Sequence, residues 1–157
     1  MTEIFINKAR TCAVTGHRVL QADFSAEKLK EMLKKVYLAG FDTFLVGMAL
    51  GFDTECFLAL QQLKKEFPIK VIACIPCVNQ DYKYTKEQSE LYRKMLEDAD
   101  QKYYVGKEYT RYCMLKRNRF MVDNCSLLFC YLRTDFGGTK HTVDYAIKKG
   151  VQILNFE

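Results

Sequence analysis

Three short stretches carry the residues best suited to chemistry: Thr15-Gly16-His17-Arg18, Gly47-Met48-Ala49-Leu50-Gly51-Phe52-Asp53, and Gly137-Gly138-Thr139 followed by Lys140, His141 and Thr142. Each contains glycine, which lets a backbone turn close to a ligand. In the first, Arg18 offers a planar cation for phosphate oxygens. A simple turn with His17 and Arg18 in solvent fits the same four residues. In the second, Gly47 and Gly51 flank an apolar loop entering a helix, where free backbone N–H groups favour an anion. The loop lacks both the Lys-Ser/Thr pair of a P-loop and the glycine spacing of GxGxxG. Asp53 would repel a phosphate. It reads either as the N-cap of that helix or as an acceptor for ribose hydroxyls. In the third, Gly137 and Gly138 lead into a helix expected from Thr139, with the Thr139 and Thr142 hydroxyls beside its amides. A bare cap is the alternative, and the strand–loop–helix context favours a phosphate cradle.

A fourth cluster, Lys116-Arg117-Asn118-Arg119, lies inside a helical segment. Such a charge run is usually a solvated face. Here Asn118 shares a stripe with Met114, Met121 and Cys125, and Arg117 shares the next with Cys113 and Phe120. An inward polar side chain must find partners, so Arg117 and Asn118 are the pair expected to organise a site. Cys74-Ile75-Pro76-Cys77 is a CxxC, but seven residues separate it from the helix signal at Thr85 and Cys74 falls within a strand. A thioredoxin-like site needs a helix N-terminus at once, so redox chemistry is not the expectation. Zinc would need a second CxxC or a histidine pair.

These stretches must be held by something. Apolar runs at 11–15, 43–47, 70–75, 102–105, 126–131 and 151–154 read as strands, several of them apolar on both faces. Helices lie between them. Ser25 caps one with the stripe Leu29, Met32, Leu33, Val36 and Tyr37 inward, ended by Gly40. A second runs from Asp53, with Cys56, Leu60, Leu63 and Phe67 inward. Thr85 and Gln88 form a capping box for a third, to about Ala99. The last two cover 112–124 and 139–149. This alternation predicts one domain over 1–157: an α/β, Rossmann-like, mostly parallel twisted sheet of about six strands with helices on both faces. Ligands bind such sheets beyond the strand carboxyl ends, where strand order switches. For the loops to meet there, strand 126–131 must lie beside strand 11–15.

Composition narrows the classes. Of 157 residues 49% are hydrophobic and 27% charged, as in a soluble globular protein. No apolar run is long enough to cross a bilayer. Met1-Thr2-Glu3-Ile4 shows no charged-then-apolar leader. Seven cysteines, an odd number placed mostly in apolar runs, fit a reducing cytoplasm. The net charge of +5 tolerates a nucleic-acid partner without demanding one.

Five motifs in order resemble one family: TGHR at Thr15–Arg18, GMALGFD at Gly47–Asp53, IPCVNQDYKY at Ile75–Tyr84, RNRFMVD at Arg117–Asp123 and GGTKHTVDYA at Gly137–Ala146. The chain is similar to the YpsA-like branch of the SLOG superfamily, which also holds DprA (Smf) and the LOG phosphoribohydrolases, and is bacterial in character. The resemblance implies a Rossmann-like domain that binds nucleotides or their derivatives. It supports Gly16, His17, Arg18, Gly47, Gly51, Asp53, Arg117, Asn118, Gly137, Gly138, Thr139 and Thr142 as pocket residues. It also places at Tyr84 an aromatic that stacks on a base or packs. LOG enzymes carry PGGxGTxxE, whose glutamate helps break an N-glycosidic bond. Here Phe136 replaces the proline, the second glycine pair is lost, and Asp144 alone could stand for the acid.

The expected function is therefore binding or sensing of a nucleotide or nucleotide derivative such as AMP, ADP-ribose or a nucleotide-sugar. No cofactor is required and no metal is expected. LOG-like hydrolysis of nucleoside monophosphates is the first alternative, with His17, Asp53 and Asp144 as its candidate groups. DprA-like single-stranded DNA binding is the second. Scattered lysines such as Lys28, Lys30, Lys34 and Lys35 read as solvated faces rather than a DNA surface. A homo-oligomer is compatible with the sequence.

Overall fold

A computed structural model describes residues 5–157; the Met1–Ile4 segment read above for a leader lies outside them. The chain forms β1 (Thr11–Gly16), α1 (Ala26–Leu38), β2 (Thr43–Val46), α2 (Phe52–Leu63), β3 (Lys70–Ile75), α3 (Lys86–Asp98), β4 (Gln101–Tyr104), α4 (Cys113–Asp123), β5 (Leu127–Tyr131), α5 (Gly137–Lys148) and β6 (Gln152–Asn155). Six parallel strands make one sheet in the order β4-β3-β2-β1-β5-β6. Cys12 pairs with Leu127 and Gly16 with Tyr131, so β1 and β5 are neighbours as the loops require.

Strand alternation explains the apolar runs. Cys12, Val14, Phe44, Val46, Val71, Phe129 and Tyr131 point into one core with α1, α2 and α3. Ala13, Leu45, Ile72, Cys74, Leu128 and Cys130 point into a second with α4 and α5. A parallel strand covered on both faces needs apolar residues at every position. Strand order runs outward from β1 to β4, then jumps back across β1 to β5. Right-handed crossovers in opposite directions place their helices on opposite faces. The chain therefore leaves β1 and β5 toward different sides, and a crevice opens between them.

The helix starts are local chemistry. The Ser25 hydroxyl accepts the Lys28 N–H at 3.2 Å. Thr85 and Gln88 form the expected capping box, with bonds of 2.9 and 3.2 Å. The start of α2 departs from expectation. Its N-cap is Gly51, at φ +83°, and Asp53 lies within the first turn. A Cβ on Gly51 would stand 2.2 Å from the Arg18 carbonyl oxygen, so only glycine lets the two loops touch. α5 also starts early: Gly137 and Gly138 are its first two residues rather than a loop before it.

Gly16 answers a packing demand. A Cβ there would lie 2.5 Å from the Phe52 ring, which is fully buried and stacked on Tyr131 at 5.4 Å. Phe52 has no space to yield. Gly16→Ala is expected to destabilise the fold by about 2 kcal/mol or more, the scale of an overpacked core. Chemical denaturation should show it as a lower midpoint with an unchanged m-value.

Candidate functional site

The crevice holds a cleft of about 270 Å³. Thr15, Gly16, His17 and Arg18 supply one wall from the end of β1. Ala49 and Asp53 come from the β2–α2 corner, Met114, Arg117, Asn118 and Met121 from α4, and Gly138 and Thr139 from α5. The structure thus brings together eight of the sequence-derived residues: Gly16, His17, Arg18, Asp53, Arg117, Asn118, Gly138 and Thr139. Gly47, Gly51, Gly137 and Thr142 stand behind the wall. Gly47 and Gly51 permit close contacts there, and Gly137 adopts the φ of +93° that opens α5. The Thr142 hydroxyl donates to the Gly138 carbonyl at 2.9 Å, and the residue does not line the cleft.

Beneath the cleft lie two buried side chains of opposite charge. Arg117 is 4% exposed and Asp53 6%. The Arg117 Nη1 donates to the Gly47 carbonyl and reaches the Cys74 carbonyl at 3.4 Å, and its Nε donates to Asn118 Oδ1 at 2.8 Å. A Gly47 Cβ would sit 2.9 Å from Arg117 Nη1 and 3.0 Å from Asp53 Oδ2, so both charges close over this glycine. Gln80 reinforces the same carbonyl, donating to Gly47 O at 3.3 Å and accepting the Tyr92 hydroxyl at 3.2 Å. Asp53 does not cap its helix. Its Oδ2 accepts the Ala49 N–H at 3.2 Å, while Oδ1 is buried without a partner. Burial pushes the Asp53 carboxyl up to about 6, against the opposing pull of Arg117, the Ala49 N–H and Arg18.

The other titratable candidates are constrained. His17 Nε2 accepts the Arg133 N–H at 2.8 Å, which leaves the ring proton on Nδ1. Desolvation and the Arg133 charge hold its pKa below 6.5. The lone pair a general base would use is already engaged. Asp144 is exposed and paired with Lys140 at 2.9 Å, away from the cleft lining. As the stand-in for a LOG glutamate it points the wrong way. The CxxC thiols are buried and unpaired; burial pushes Cys74 up to about 12 and raises Cys77, opposite to a reactive redox pair. All seven cysteines are free and buried.

α5 presents an uncapped N-terminus. Phe136 at the N-cap makes no side-chain bond, and the first turn contains no acid. A Cβ on Gly138 would meet nothing within 4 Å, so bare backbone faces open space. Free first-turn N–H groups and the helix dipole make such an end attractive to anions. Arg18, exposed and held among the described residues only by Met114 Sδ at 3.5 Å, lines the same cleft.

Sequence reasoning singled out Tyr84 but missed two further tyrosines beside the cleft, Tyr82 and Tyr109. Tyr82, Tyr84 and Tyr109 line an adjoining groove with Arg18, Gln80 and Met114. The alternation of tyrosine with lysine or arginine across 82–86 and 107–112 was the available signal.

A parallel α/β sheet with a polar crevice at its switch point defines a Rossmann-like domain. The sequence model of the YspA SLOG family matches residues 13–153, and the chain belongs to that family, the YpsA group of SLOG proteins. It is 31% identical over 118 residues to the uncharacterised SPbeta prophage-derived protein YoqJ of Bacillus subtilis (strain 168), covering 67% of this chain and 69% of YoqJ. Two solved structures share the fold. DprA of Streptococcus pneumoniae superposes with a TM-score of 0.67 at 22% identity over 92% of this chain and 49% of DprA. DprA of Helicobacter pylori, studied for its single-stranded DNA binding mode, gives 0.66 at 16% identity over 93% of this chain and 64% of its own. The chain thus spans about half to two thirds of these DprA proteins.

The Asp53 carboxyl gives a pH signature. Its folded value of about 6 exceeds the ordinary 3.8. The folded state then binds more protons than the unfolded chain between those values, so this contribution to stability declines as pH rises from 4 to 6 and is level above. Asp53→Asn should remove that slope. The difference in unfolding free energy between wild type and variant should change by roughly 3 kcal/mol from pH 4 to pH 7, at about 1.4 kcal/mol per unit, measured by urea denaturation at each pH.

Proposed function

We propose that the cleft binds a nucleotide or nucleotide derivative, with a phosphate at the N-terminus of α5. The observation that carries this is the pairing of that uncapped helix end, bare at Gly138, with the guanidinium of Arg18 on the facing wall. Both recognise an anion, and neither is neutralised by a side-chain acid within bonding distance. Asp53 is the single carboxylate in the lining, and its unpartnered Oδ1 suits a ligand hydroxyl, as a ribose would supply. Arg117 and Asn118 then act from below: Arg117 holds Asn118 by its carbonyl oxygen, which leaves the Asn118 amide N–H groups for the ligand. Binding requires no proton transfer, which fits the engaged His17 and the outward Asp144.

A second reading is favoured by the fold shared with Helicobacter pylori DprA, a protein studied for its single-stranded DNA binding mode. The net charge of +5 and the aromatic–basic loops beside the cleft would serve a strand as well as a nucleotide.

Calorimetric titration with AMP, ADP-ribose, NAD and cyclic nucleotides tests the first reading. At least one should bind, and Gly138→Glu, which sets a carboxylate at the helix end, should weaken it by tenfold or more, about 1.4 kcal/mol. Unchanged binding would remove the pocket. For the second, affinity for a single-stranded oligonucleotide should fall steeply with salt, at about −0.7 per phosphate neutralised on a log–log plot; a flat or absent response rejects it.

A further inference from the structure

The 270 Å³ cleft is too small to enclose a whole nucleotide, since sites that bury small ligands run to about 300–1,000 Å³. A second, larger hollow of about 460 Å³ adjoins it. The two share a wall made by Arg18 and Met114, joined by the 3.5 Å contact of Nη2 with Sδ. The wall is a ridge of two flexible side chains, not backbone.

The larger hollow has the chemistry of a ring site. Its walls expose Tyr82, Tyr84 and Tyr109, contributed by the loops after β3 and β4. Tyr82 is 78% exposed and Tyr109 67%. Among the described residues neither ring stacks on another aromatic, and neither hydroxyl has a hydrogen-bond partner. Exposed tyrosines without internal partners present free ring faces that can cover a flat apolar surface. The cations Arg18 and Lys83 lie in the lining, and no acid does. Arginine stacks on aromatic planes as readily as it pairs with phosphate, so Arg18 can serve both compartments. Asn79, exposed at the rim, offers an amide that both donates and accepts.

Resting on the phosphate reading above, we infer that this groove is the base subsite of the same ligand. The phosphate lies at α5, the ribose passes Asp53, and the base crosses the Arg18–Met114 ridge to lie among Tyr82, Tyr84 and Tyr109. The ligand class is then a nucleotide recognised at both ends. A sugar phosphate would fill only the smaller compartment.

Titration of the full chain with AMP, ribose 5-phosphate and inorganic phosphate separates the two layers. AMP should bind at least about tenfold more tightly than ribose 5-phosphate, the scale of one base–aromatic stack. Tyr109→Ala and Tyr82→Ala change exposed side chains, so the fold should persist, checked by an unaltered Tm. Together they should erase the advantage of AMP and leave ribose 5-phosphate unchanged. Equal affinity of the wild type for the two ligands, or an advantage of AMP that survives the double variant, overturns the base subsite while sparing the phosphate site. Loss of all three ligands from the wild type, or binding indifferent to Gly138→Glu, overturns both.

Discussion

The site depends on one buried guanidinium. Arg117 comes from α4, a helix that follows the jump across the sheet, and it ends on the carbonyls of Gly47 and Cys74, at the tips of β2 and β3. It therefore ties α4 to the ends of two neighbouring strands on one side of the switch point. Charge-assisted bonds to carbonyls satisfy oxygens that parallel strands leave open at their ends. Without Arg117, Asp53 would be a desolvated carboxylate with no nearby buried cation, and Gly47 would lose a principal partner. Removing a buried cation from the neighbourhood of a buried carboxylate leaves the desolvation of that carboxylate less compensated.

Around this tie the glycines divide the labour. Gly16 gives way to the Phe52 ring, Gly47 to the Arg117 and Asp53 side chains, and Gly51 to the Arg18 backbone. Those three are filled by protein. Gly137 and Gly138, at the start of α5, have empty space where a side chain would go, and Gly138 lines the cleft. Membership of the YspA SLOG family and a fold shared with two DprA proteins place the domain in a group built on this frame. The chemistry belongs to the side chains added to it.

Much of this was legible in the sequence, for physical reasons. Buried parallel strands must be apolar throughout, so β1, β3 and β5 announced themselves, and the meeting of β1 with β5 followed from the need to converge three loops. Arg117 and Asn118 stood out because a helical stripe turned polar groups inward. Asp53 was misread because capping was assigned by residue type. A glycine with positive φ started α2 two residues earlier and turned the carboxylate toward Ala49. Thr142 shows the same limit, since a helical threonine can bond to its own previous turn. The groove aromatics come from two loops without periodicity, and only the sheet order makes those loops neighbours.

The seven thiols have a further consequence. Every one is enclosed, in both cores and on each side of the sheet, and those at Cys12, Cys56, Cys74, Cys125 and Cys130 are held protonated by desolvation. In the closed molecule they are hydrocarbon in all but name. Once the sheet parts from a helix layer, they become nucleophiles. The domain therefore carries its own gauge of breathing: the rate at which each thiol is modified reports how often its layer opens, and a ligand that clamps the switch point would slow that clock on both faces at once.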